Sequence, residues 1–379
     1  MDIGQLLGVM AQKKASDLFL SVGAPPSIKI EGETYHLGQA ALAASDLHAL
    51  AYSIMNDRQQ KDFESQLELN LALGLNDVGR FRVSIYRQRG AIAMVIRYIT
   101  SEIPPLQALN LPQRLHDIVM TPRGLVLVVG ATGSGKSTTL ASMIDYRNST
   151  KTGHILTIED PIEYLHTHKK SVVDQREVGL DTLSYAAALK NAMRQAPDVI
   201  LIGEIRDRET MQQAIAYAET GHLCLSTLHA NNANQTLDRI INFFPETARH
   251  QLLIDLSLNL RAVISQRLLR GTDGKRIPAV ELLLHSAYVA DLIQKGEIDK
   301  LKEAMAQGTD QGMMTFDDSL YQLYAAGKIS LDEALSHADS QTDLSLRIRL
   351  AQGAATVQSG LKLQTANPAG LDLISPGSP

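Results

Sequence analysis

Apolar residues in the first hundred positions follow two periods, one helical and one alternating. A short amphipathic helix is predicted over residues 2–13, where four apolar residues recur at helical spacing: Ile3, Leu6, Leu7 and Met10. Residues 45–55 are predicted to form a second helix. Strands are predicted at four further runs: residues 18–22, 27–30, 80–86 and 91–99. This mixture predicts a small α+β domain over residues 1–99.

Prolines mark the end of this first region. Pro104, Pro105 and Pro112 lie within residues 100–112 and favour an extended linker, because the proline ring fixes the backbone and removes an amide donor. Beyond the linker, four apolar runs alternate with helical segments: residues 125–129, 155–158, 199–202 and 223–227. Such runs are typical of a mostly parallel sheet covered by helices on both faces. We therefore predict an α/β domain over residues 113–351.

Helices are predicted to dominate the end of this second domain. One helical stripe is predicted from four apolar residues: Leu252, Leu256, Leu260 and Val263. Further helices are predicted at residues 287–295, 299–306, 316–326 and 331–336. From residue 352 the chain contains Gly, Ala, Ser and Pro with few charges. We predict that residues 352–379 form a disordered tail.

The charge balance and the cysteine content limit the classes of partner. With 36 Lys and Arg against 41 Asp and Glu, the net charge is −5, whereas generic nucleic-acid binding usually needs a basic face. Cys224 is the single cysteine, which excludes an intrachain disulfide and a Cys-x-x-Cys zinc site and favours a reduced, cytosolic compartment. Apolar runs are far shorter than the roughly 20 residues that span a bilayer. Membrane association is therefore expected only through a partner.

The strongest chemical motif is Gly130-Ala-Thr-Gly-Ser-Gly-Lys-Ser-Thr138, between a predicted strand and a predicted helix. It matches the phosphate-binding loop G-x-x-x-x-G-K-[ST], whose glycines let backbone amides face phosphate oxygens at a helix N-terminus. Lys136 is expected to reach the β- and γ-phosphates and Ser137 to hold Mg²⁺. The predicted nucleotide-binding residues of this motif are Gly130, Thr132, Gly133, Ser134, Gly135, Lys136, Ser137 and Thr138.

Hydrolysis also needs carboxylates, and these follow two of the predicted strands. The run at 155–158 continues into Glu159-Asp-Pro-Ile-Glu163, and the run at 199–202 continues into Gly203-Glu204. Ligands of open α/β sheets bind where the strands end, so one carboxylate can orient Mg²⁺ while another positions or deprotonates water. Helix capping or surface exposure is the alternative role. The sequence leaves open whether Glu159 or Glu163 is the base.

Two histidines and two arginines are further candidates. His222 and His229 flank the run at 223–227, and a histidine beside a γ-phosphate could sense hydrolysis through a hydrogen bond, although a lone histidine is more often structural. Arg82 and Arg97 lie on the paired strands of the first domain. A phosphate loop alone leaves transition-state charge uncompensated, and an arginine from this domain or from a neighbouring subunit would supply the missing donor.

These motifs together resemble those of the secretion ATPases of the type II/type IV pilus superfamily. The segment 155–163 is similar to their acidic box, 198–207 to their atypical Walker B segment and 220–229 to their His box. The resemblance runs from residue 1 to residue 345. Within the superfamily the chain most resembles the twitching-motility retraction ATPases, the PilT and PilU branch. Three segments carry that similarity: Ala15-Ser-Asp-Leu18, Gly79-Arg-Phe-Arg-Val83 and Met314-Thr-Phe-Asp317.

The resemblance implies a homo-hexameric ring at the cytoplasmic face of the inner membrane, docked on a pilus platform protein. Each subunit would have a PAS-like N-terminal domain and a RecA-like α/β domain, and ATP with Mg²⁺ would drive domain motions that remove pilin subunits. By the same resemblance, Glu163 is the catalytic base, Glu204 is the Walker B acid beside the metal, and Arg82 and Arg97 complete the site. Glu159 and His222 are assigned to nucleotide binding on this view, and His229 to catalysis.

One segment departs from the PilT type. Where PilT-type chains carry Ala-Ile-Arg-Asn-Leu-Ile-Arg-Glu, this chain has Tyr288-Val-Ala-Asp-Leu-Ile-Gln-Lys295, without either arginine. The change favours the PilU type, which acts with a PilT-type ATPase. The alternatives are an accessory ring subunit with little motor activity of its own and an assembly or secretion ATPase, whose tetracysteine zinc module this chain cannot build. A DNA translocase is disfavoured by the acidic charge.

Overall fold

The computed structural model describes residues 2–30, 32–75, 78–99 and 102–360, with side chains described as far as residue 351. The chain falls into two compact units. One comprises residues 1–269 and 276–315, and the other comprises residues 270–275 and the chain from Phe316 onward. The first unit contains two sheets with separate hydrophobic cores, which correspond to the two predicted folded regions on either side of residues 100–112.

The first sheet has six antiparallel strands in the order β3-β2-β1-β6-β5-β4. The strands are β1 (Asp17–Leu20), β2 (Ser27–Ile30), β3 (Glu33–His36), β4 (Glu68–Leu75), β5 (Gly79–Gln88) and β6 (Ala91–Ile99). Three helices accompany it: α1 (Ile3–Gln12), α2 (Ala44–Ser53) and α3 (Asp57–Gln66). Phe81, Val83 and Ile85 alternate into the core of this sheet, so the intervening Arg82 projects from the opposite face of β5.

The second sheet has seven strands in the order β13-β12-β7-β11-β10-β8-β9. The strands are β7 (Gly124–Val129), β8 (Gly153–Glu159), β9 (Ser171–Glu177), β10 (Val199–Ile202), β11 (Leu223–Leu228), β12 (Leu260–Arg270) and β13 (Arg276–Leu284). The six strands from β12 to β9 pair in parallel. Every residue of β7, β10 and β11 is buried, which confirms the parallel, helix-covered sheet predicted from runs that are apolar on both faces.

Helices cover this sheet, and further helices follow in sequence to the end of the described chain. They are α4 (Arg114–Met120), α5 (Lys136–Thr150), α6 (Tyr185–Ala192), α7 (Arg208–Glu219), α8 (Ala233–Asn242), α9 (Glu246–Asn259), α10 (Ala287–Lys295), α11 (Leu301–Gln307), α12 (Phe316–Ala325), α13 (Leu331–Ser336) and α14 (Gln341–Gly360). Among the described residues, none of the helices combines the length and the apolar character required to cross a bilayer.

Several expectations require correction. The helical stripe predicted through Val263 is wrong at its end, because α9 stops at Asn259 and Leu260 begins β12. Leucines at every fourth position suit either element, and pairing with β7 selects the strand. The last helix runs to Gly360, so the first nine residues of the predicted tail are helical, and residues 361–379 lie outside the described residues. Helices α12 to α14 lie within the predicted second domain, residues 113–351, or extend beyond it, but they belong to the second compact unit.

The predicted linker is only partly extended. A single 3₁₀ turn forms at Leu106–Leu109, and Leu106 is buried in the core of the second sheet. The carbonyl of Pro104 accepts a hydrogen bond of 2.7 Å from the Ser142 hydroxyl on α5. The segment after residue 101 is therefore anchored to the second sheet and its helices.

We expect Leu127→Ala, at the centre of β7, to destabilise the protein by about 2 to 5 kcal/mol, because the side chain is fully buried and its removal leaves a cavity. Chemical denaturation followed by circular dichroism measures the change. Leu258→Ala on α9 is the matched control, since Leu258 is 63% exposed and its loss should cost less than about 0.5 kcal/mol. Equal shifts in the two variants would contradict the assignment of β7 to the core.

Candidate active site

The phosphate-loop sequence folds as a tight turn between β7 and α5, as its motif predicts. Gly130 adopts φ +150°, and a Cβ placed there would lie 2.4 Å from the Ser134 hydroxyl and 2.5 Å from the Gln266 carbonyl, so only glycine fits. Gly135 is left-handed at φ +91°, and α5 starts at the next residue, Lys136. The loop thus directs the first amides of α5, and the positive end of that helix, toward one edge of the sheet.

A cavity of about 480 Å³ opens at this edge. Ten of the residues predicted from the sequence line it: Thr132, Gly133, Gly135, Lys136, Ser137, Thr138, Glu159, Glu163, Glu204 and His229. Gly130 and Ser134 belong to the same loop without lining the cavity. The structure therefore brings the phosphate loop together with both carboxylate clusters and one of the two histidines.

Lys136 lies between the loop and the carboxylates. Its Nζ donates hydrogen bonds of 2.9 Å to the carbonyls of Gly130 and Ala131. Burial lowers the pKa of Lys136, while the negative charges of Glu204 and Glu163 oppose that shift. Both acids are therefore close enough to act electrostatically on the lysine at the centre of the loop.

Glu204 is held by two cationic or polar partners beyond the end of β10. His229 Nε2 lies 2.9 Å from its Oε1, and Arg206 Nε donates a hydrogen bond of 2.5 Å to its Oε2. Arg206 also lies 3.7 Å from Asp160 on the neighbouring loop. Gly203 permits this arrangement, since a Cβ there would lie 2.8 Å from the Tyr185 hydroxyl and 3.1 Å from the Glu159 Cα. His229 thus contacts the carboxylate at the end of the adjacent strand.

Glu159 ends β8 in a different environment. Burial raises the pKa of Glu159 to about 7, although hydrogen bonds from Thr157 and Gln175 favour its ionised form. The Thr157 hydroxyl donates to Glu159 Oε1 at 2.7 Å and the Gln175 amide donates to the same oxygen at 3.3 Å. A carboxyl group with this pKa can exchange a proton near neutral pH. Glu163, four residues later, lines the same cavity.

Three predicted residues lie elsewhere. His222 precedes β11 at the amino edge of the sheet, where its ring contacts Thr220 Oγ1 at 3.1 Å, and six strand residues separate it from His229, a distance of roughly 20 Å. It is therefore not brought to the cavity in this chain. Arg82 and Arg97 are neighbours across β5 and β6, and neither lines the cavity among the described residues. Arg97 forms an ion pair of 2.9 Å with Asp17.

Several residues of the cavity wall have no role predicted from the sequence. These are Tyr164, His166, Tyr185, Arg206 and Arg276. Arg206 lies two residues after Glu204 in the segment 198–207, so its position in the sequence could have indicated a place at the site. Arg276 begins β13, a strand that the hydrophobic pattern did not reveal. Tyr164 shares a hydrogen bond of 2.8 Å with Thr138 of the phosphate loop, a contact between residues 26 positions apart.

The residues present fit a nucleotide with Mg²⁺. The buried Ser134 hydroxyl lacks a hydrogen-bond partner among the described residues, and the amides at the start of α5 offer donors to an anion. Ser137 and Glu204 offer oxygen ligands at the same cavity, and Mg²⁺ usually takes one or two protein oxygens with phosphates and water completing its shell. No group of three or more His, Cys, Asp or Glu that could hold a metal ion by itself occurs in the described part of the chain.

Known proteins are similar to this chain in sequence and in fold. The family described as Type II/IV secretion system protein matches residues 35–344. The chain belongs to this family. It is 50% identical over 378 residues to the type IV pilus ATPase PilU of Pseudomonas aeruginosa, covering 98% of this chain and 99% of PilU. It is 44% identical over 338 residues to the retraction ATPase PilT of the same organism, covering 89% of this chain and 98% of PilT.

A solved structure supports the same membership. The crystal structure of the pilus retraction motor PilT with bound ADP superposes with a TM-score of 0.85 at 41% identity, covering 91% of this chain and 99% of that one. The family fold of a small first domain followed by an α/β ATPase domain therefore applies to this chain. Within the type II/IV secretion family, the chain lies in the branch of PilU and PilT.

We expect Glu159→Gln to change how the stability of the protein depends on pH. Because the folded state holds the proton of Glu159 up to about pH 7, stability is full below the ordinary carboxyl pKa of about 4.3 and falls as pH rises through 7. The glutamine variant avoids that loss and should exceed the wild type by about 1 to 3 kcal/mol at pH 8.

Urea unfolding at pH 5 and pH 8 measures this difference, with the exposed Glu209→Gln as the control. A gap between wild type and Glu159→Gln that is the same at both pH values would show that Glu159 does not titrate in this range.

Proposed function

We propose that this chain binds ATP with Mg²⁺ and hydrolyses it to ADP and phosphate at the cavity beside β7. The observation that carries the proposal is the convergence of the phosphate loop with Glu163 and Glu204 on one cavity. Lys136 and the loop amides bind the phosphates, and Thr132, Gly133, Ser134 and Thr138 shape that loop. Bound Mg²⁺ would neutralise phosphate charge, with Ser137 and Glu204 as its protein ligands.

The carboxylates divide the remaining work. Glu163 acts as the base that orients or deprotonates the attacking water, and Glu159 beside it holds a proton at neutral pH. His229 Nε2 contacts Glu204 Oε1 and so connects the end of β11 to the end of β10. Through this contact His229 responds to the charge at the γ-phosphate. His222, at the far edge of the sheet, takes part in nucleotide binding only if another subunit presents it.

Arg82 and Arg97 supply positive charge to the transition state when the first domain or a neighbouring subunit brings them to the cavity. The electrostatics around Glu177 support this role for Arg82. Burial raises the pKa of Glu177, and the Ile162 amide and then the charges of Arg80 and Arg82 oppose the shift. Arg82 is thus within electrostatic reach of a carboxylate that binds the loop of Glu163.

The ATPase serves as a motor subunit for type IV pilus retraction in twitching motility, as a PilU-type partner of a PilT-type ATPase. The near full-length similarity to PilU and the similarity to a PilT structure support this reading. The working assembly is a homo-hexamer at the cytoplasmic face of the inner membrane, held there by a pilus platform protein. Nucleic acid is not its substrate, in keeping with the net charge of −5.

An accessory role is the second candidate, and the altered α10 favours it. The segment from Tyr288 to Lys295 lies in α10, which buries Val289, Leu292 and Ile293, and on its exposed face Lys295 Nζ pairs with Asp291 at 2.7 Å. The two arginine positions of the PilT type are Ala290 and Gln294 in this chain, and the adjacent residues Asp291 and Lys295 form an ion pair within the helix. A subunit with this surface would bind ATP and contribute chiefly by contact with a PilT-type ring. An assembly or type II secretion ATPase is less consistent with the high identity to PilU.

We expect Glu204→Gln to keep nucleotide affinity while lowering ATP turnover by about 10²- to 10⁴-fold, since the amide cannot orient the metal or its water as a carboxylate does. Phosphate release and binding of a fluorescent ADP analogue measure the two effects. Glu209→Gln, an exposed acid five residues later, is the control and should retain full turnover. Wild-type turnover in Glu204→Gln would refute the assignment.

The cellular role is tested by deleting the gene and complementing it with the wild type or Lys136→Ala. We expect the deletion strain to retain surface pili while losing or weakening twitching, and Lys136→Ala to fail to restore it because the phosphates lose their cation. Electron microscopy and agar-stab assays provide the measurement. Loss of surface pili would instead favour assembly, and restoration by Lys136→Ala would favour the accessory role.

A further inference from the structure

The acidic loop, residues 160–166, connects the end of β8 to the return segment before β9 and carries Glu163. A single side chain on β9 meets three polar groups at its two ends. Gln175 Oε1 accepts a hydrogen bond of 2.8 Å from the His166 amide, and its Nε2 donates at 2.9 Å to the Tyr164 carbonyl and at 3.3 Å to Glu159 Oε1. The side-chain amide is thus fully engaged with this loop and with the strand residue before it.

The position of Gln175 follows from the sheet. Gln175 pairs with Thr157 in the parallel register of β8 and β9, so the two side chains lie on the same face. Both donate to Glu159 Oε1. The Glu163 amide also donates to the Glu159 carboxylate. Glu159 and the backbone of Glu163 therefore form one hydrogen-bonded unit, and Gln175 fixes that unit to the edge strand.

Two further contacts place Glu163 between fixed neighbours. Glu177, two residues after Gln175 on β9, accepts a hydrogen bond of 3.3 Å from the Ile162 amide. On the other side, the Tyr164 hydroxyl bonds Thr138 of the phosphate loop at 2.8 Å, while its carbonyl is held by Gln175. The residues immediately before and after Glu163 are consequently held from β9, and the later one also contacts the loop that binds phosphate.

We propose that Gln175 is a positioning residue for hydrolysis, which holds Glu163 at a fixed distance from the phosphate loop and keeps Glu159 oriented within the same hydrogen-bonded unit. This inference rests on the proposed ATPase activity. Gln175 does not line the cavity itself, so it acts through the acidic loop. Its loss should therefore affect the catalytic step more than nucleotide binding, because displacement of a catalytic group by 1 Å is sufficient to cost about 10²-fold in rate.

The test compares full-length wild type, Gln175→Met and Gln175→Glu. Methionine preserves the length of the side chain without either hydrogen-bonding group, and glutamate keeps the acceptor for the His166 amide but places a second carboxylate beside Glu159. Asp174→Asn is the matched control. Asp174 is the preceding residue on β9, it is exposed, and its carboxylate faces His154 at 3.0 Å, away from the acidic loop.

Steady-state turnover from pH 5.5 to 9, affinity for a fluorescent ADP analogue and thermal melting are measured for each protein. In Gln175→Met we expect turnover to fall by about 10- to 100-fold with affinity unchanged within about threefold. We also expect Glu159 to titrate at higher pH, because a donor to its ionised form is lost, so the inflection of the turnover profile that reports Glu159 should move to higher pH. Gln175→Glu should move it further. The ionisable neighbours of Glu159, namely Glu163 and Tyr185, are unchanged in both variants.

The outcomes separate this inference from the proposed function. Folded Gln175→Met with wild-type turnover and an unmoved Glu159 inflection would overturn the positioning role. Parallel losses of affinity and turnover at all pH values would also overturn it, because they would indicate a purely structural residue. A wild-type chain that does not hydrolyse ATP would refute the proposed function, and this inference with it.

Discussion

The parallel register of four buried strands is the constraint on which the active site depends. β7, β11, β10 and β8 pair side by side, with Val129 level with Leu228 and Ile202 level with both Ser226 and Ile158. The polar residues of the site follow directly after the ends of these strands. A shift of one strand by a single residue would reverse its faces, and a shift inward would bury Glu159 or Glu204 in the core at a cost of several kcal/mol. Burial of the strands thus fixes the edge at which the loop, the acids and His229 meet.

The carboxylates at that edge differ because their surroundings differ. Glu204 has a histidine and an arginine on its two oxygens, whereas Glu159 is enclosed and retains a proton up to about pH 7. Glu163 lies between them in sequence and faces the cavity. Separate environments for neighbouring acids are the usual means by which one site contains both proton-holding and ionised groups. Burial is the main cause of the raised pKa of Glu159, and Gln175 on the edge strand β9 partly opposes it by donating a hydrogen bond to the ionised form.

The first domain places two arginines next to each other. Arg82 and Arg97 are directly opposite on β5 and β6, and like charges in this position repel. Asp17 compensates Arg97, and Glu177 lies within reach of the field of Arg80 and Arg82. Glu177 belongs to the second sheet and also accepts a hydrogen bond from the Ile162 amide. The same carboxylate therefore interacts with the charges of Arg80 and Arg82 and with the backbone of the acidic loop. In the proposed motor, the interaction of Glu177 with Arg80 and Arg82 would have to change when the arginines approach a nucleotide.

Much of the site was determined by local sequence. The glycines around Lys136 dictate a loop that only residues without a Cβ can form, and apolar runs on both faces dictate buried parallel strands, whatever the rest of the chain does. For the same reason the acids that follow those runs could be placed at one edge. The resemblance to the secretion ATPases was likewise carried by contiguous segments.

Tertiary structure decided the rest, since it depends on contacts between distant residues. Strands β9, β12 and β13 have hydrophobic patterns that do not specify a strand, and they form strands through pairing with their neighbours. Leu260 therefore lies in a strand instead of the predicted helix, and Arg276 lines the cavity. His222 and His229 looked equivalent in sequence, yet a parallel strand carries them to opposite edges. Gln175 has no local motif, and only the parallel pairing of β9 with β8 brings its amide to the loop of Glu163. Local sequence specified the phosphate-loop motif and the acids that follow the strands, and long-range pairing specified which side chains hold the loop of Glu163 in place.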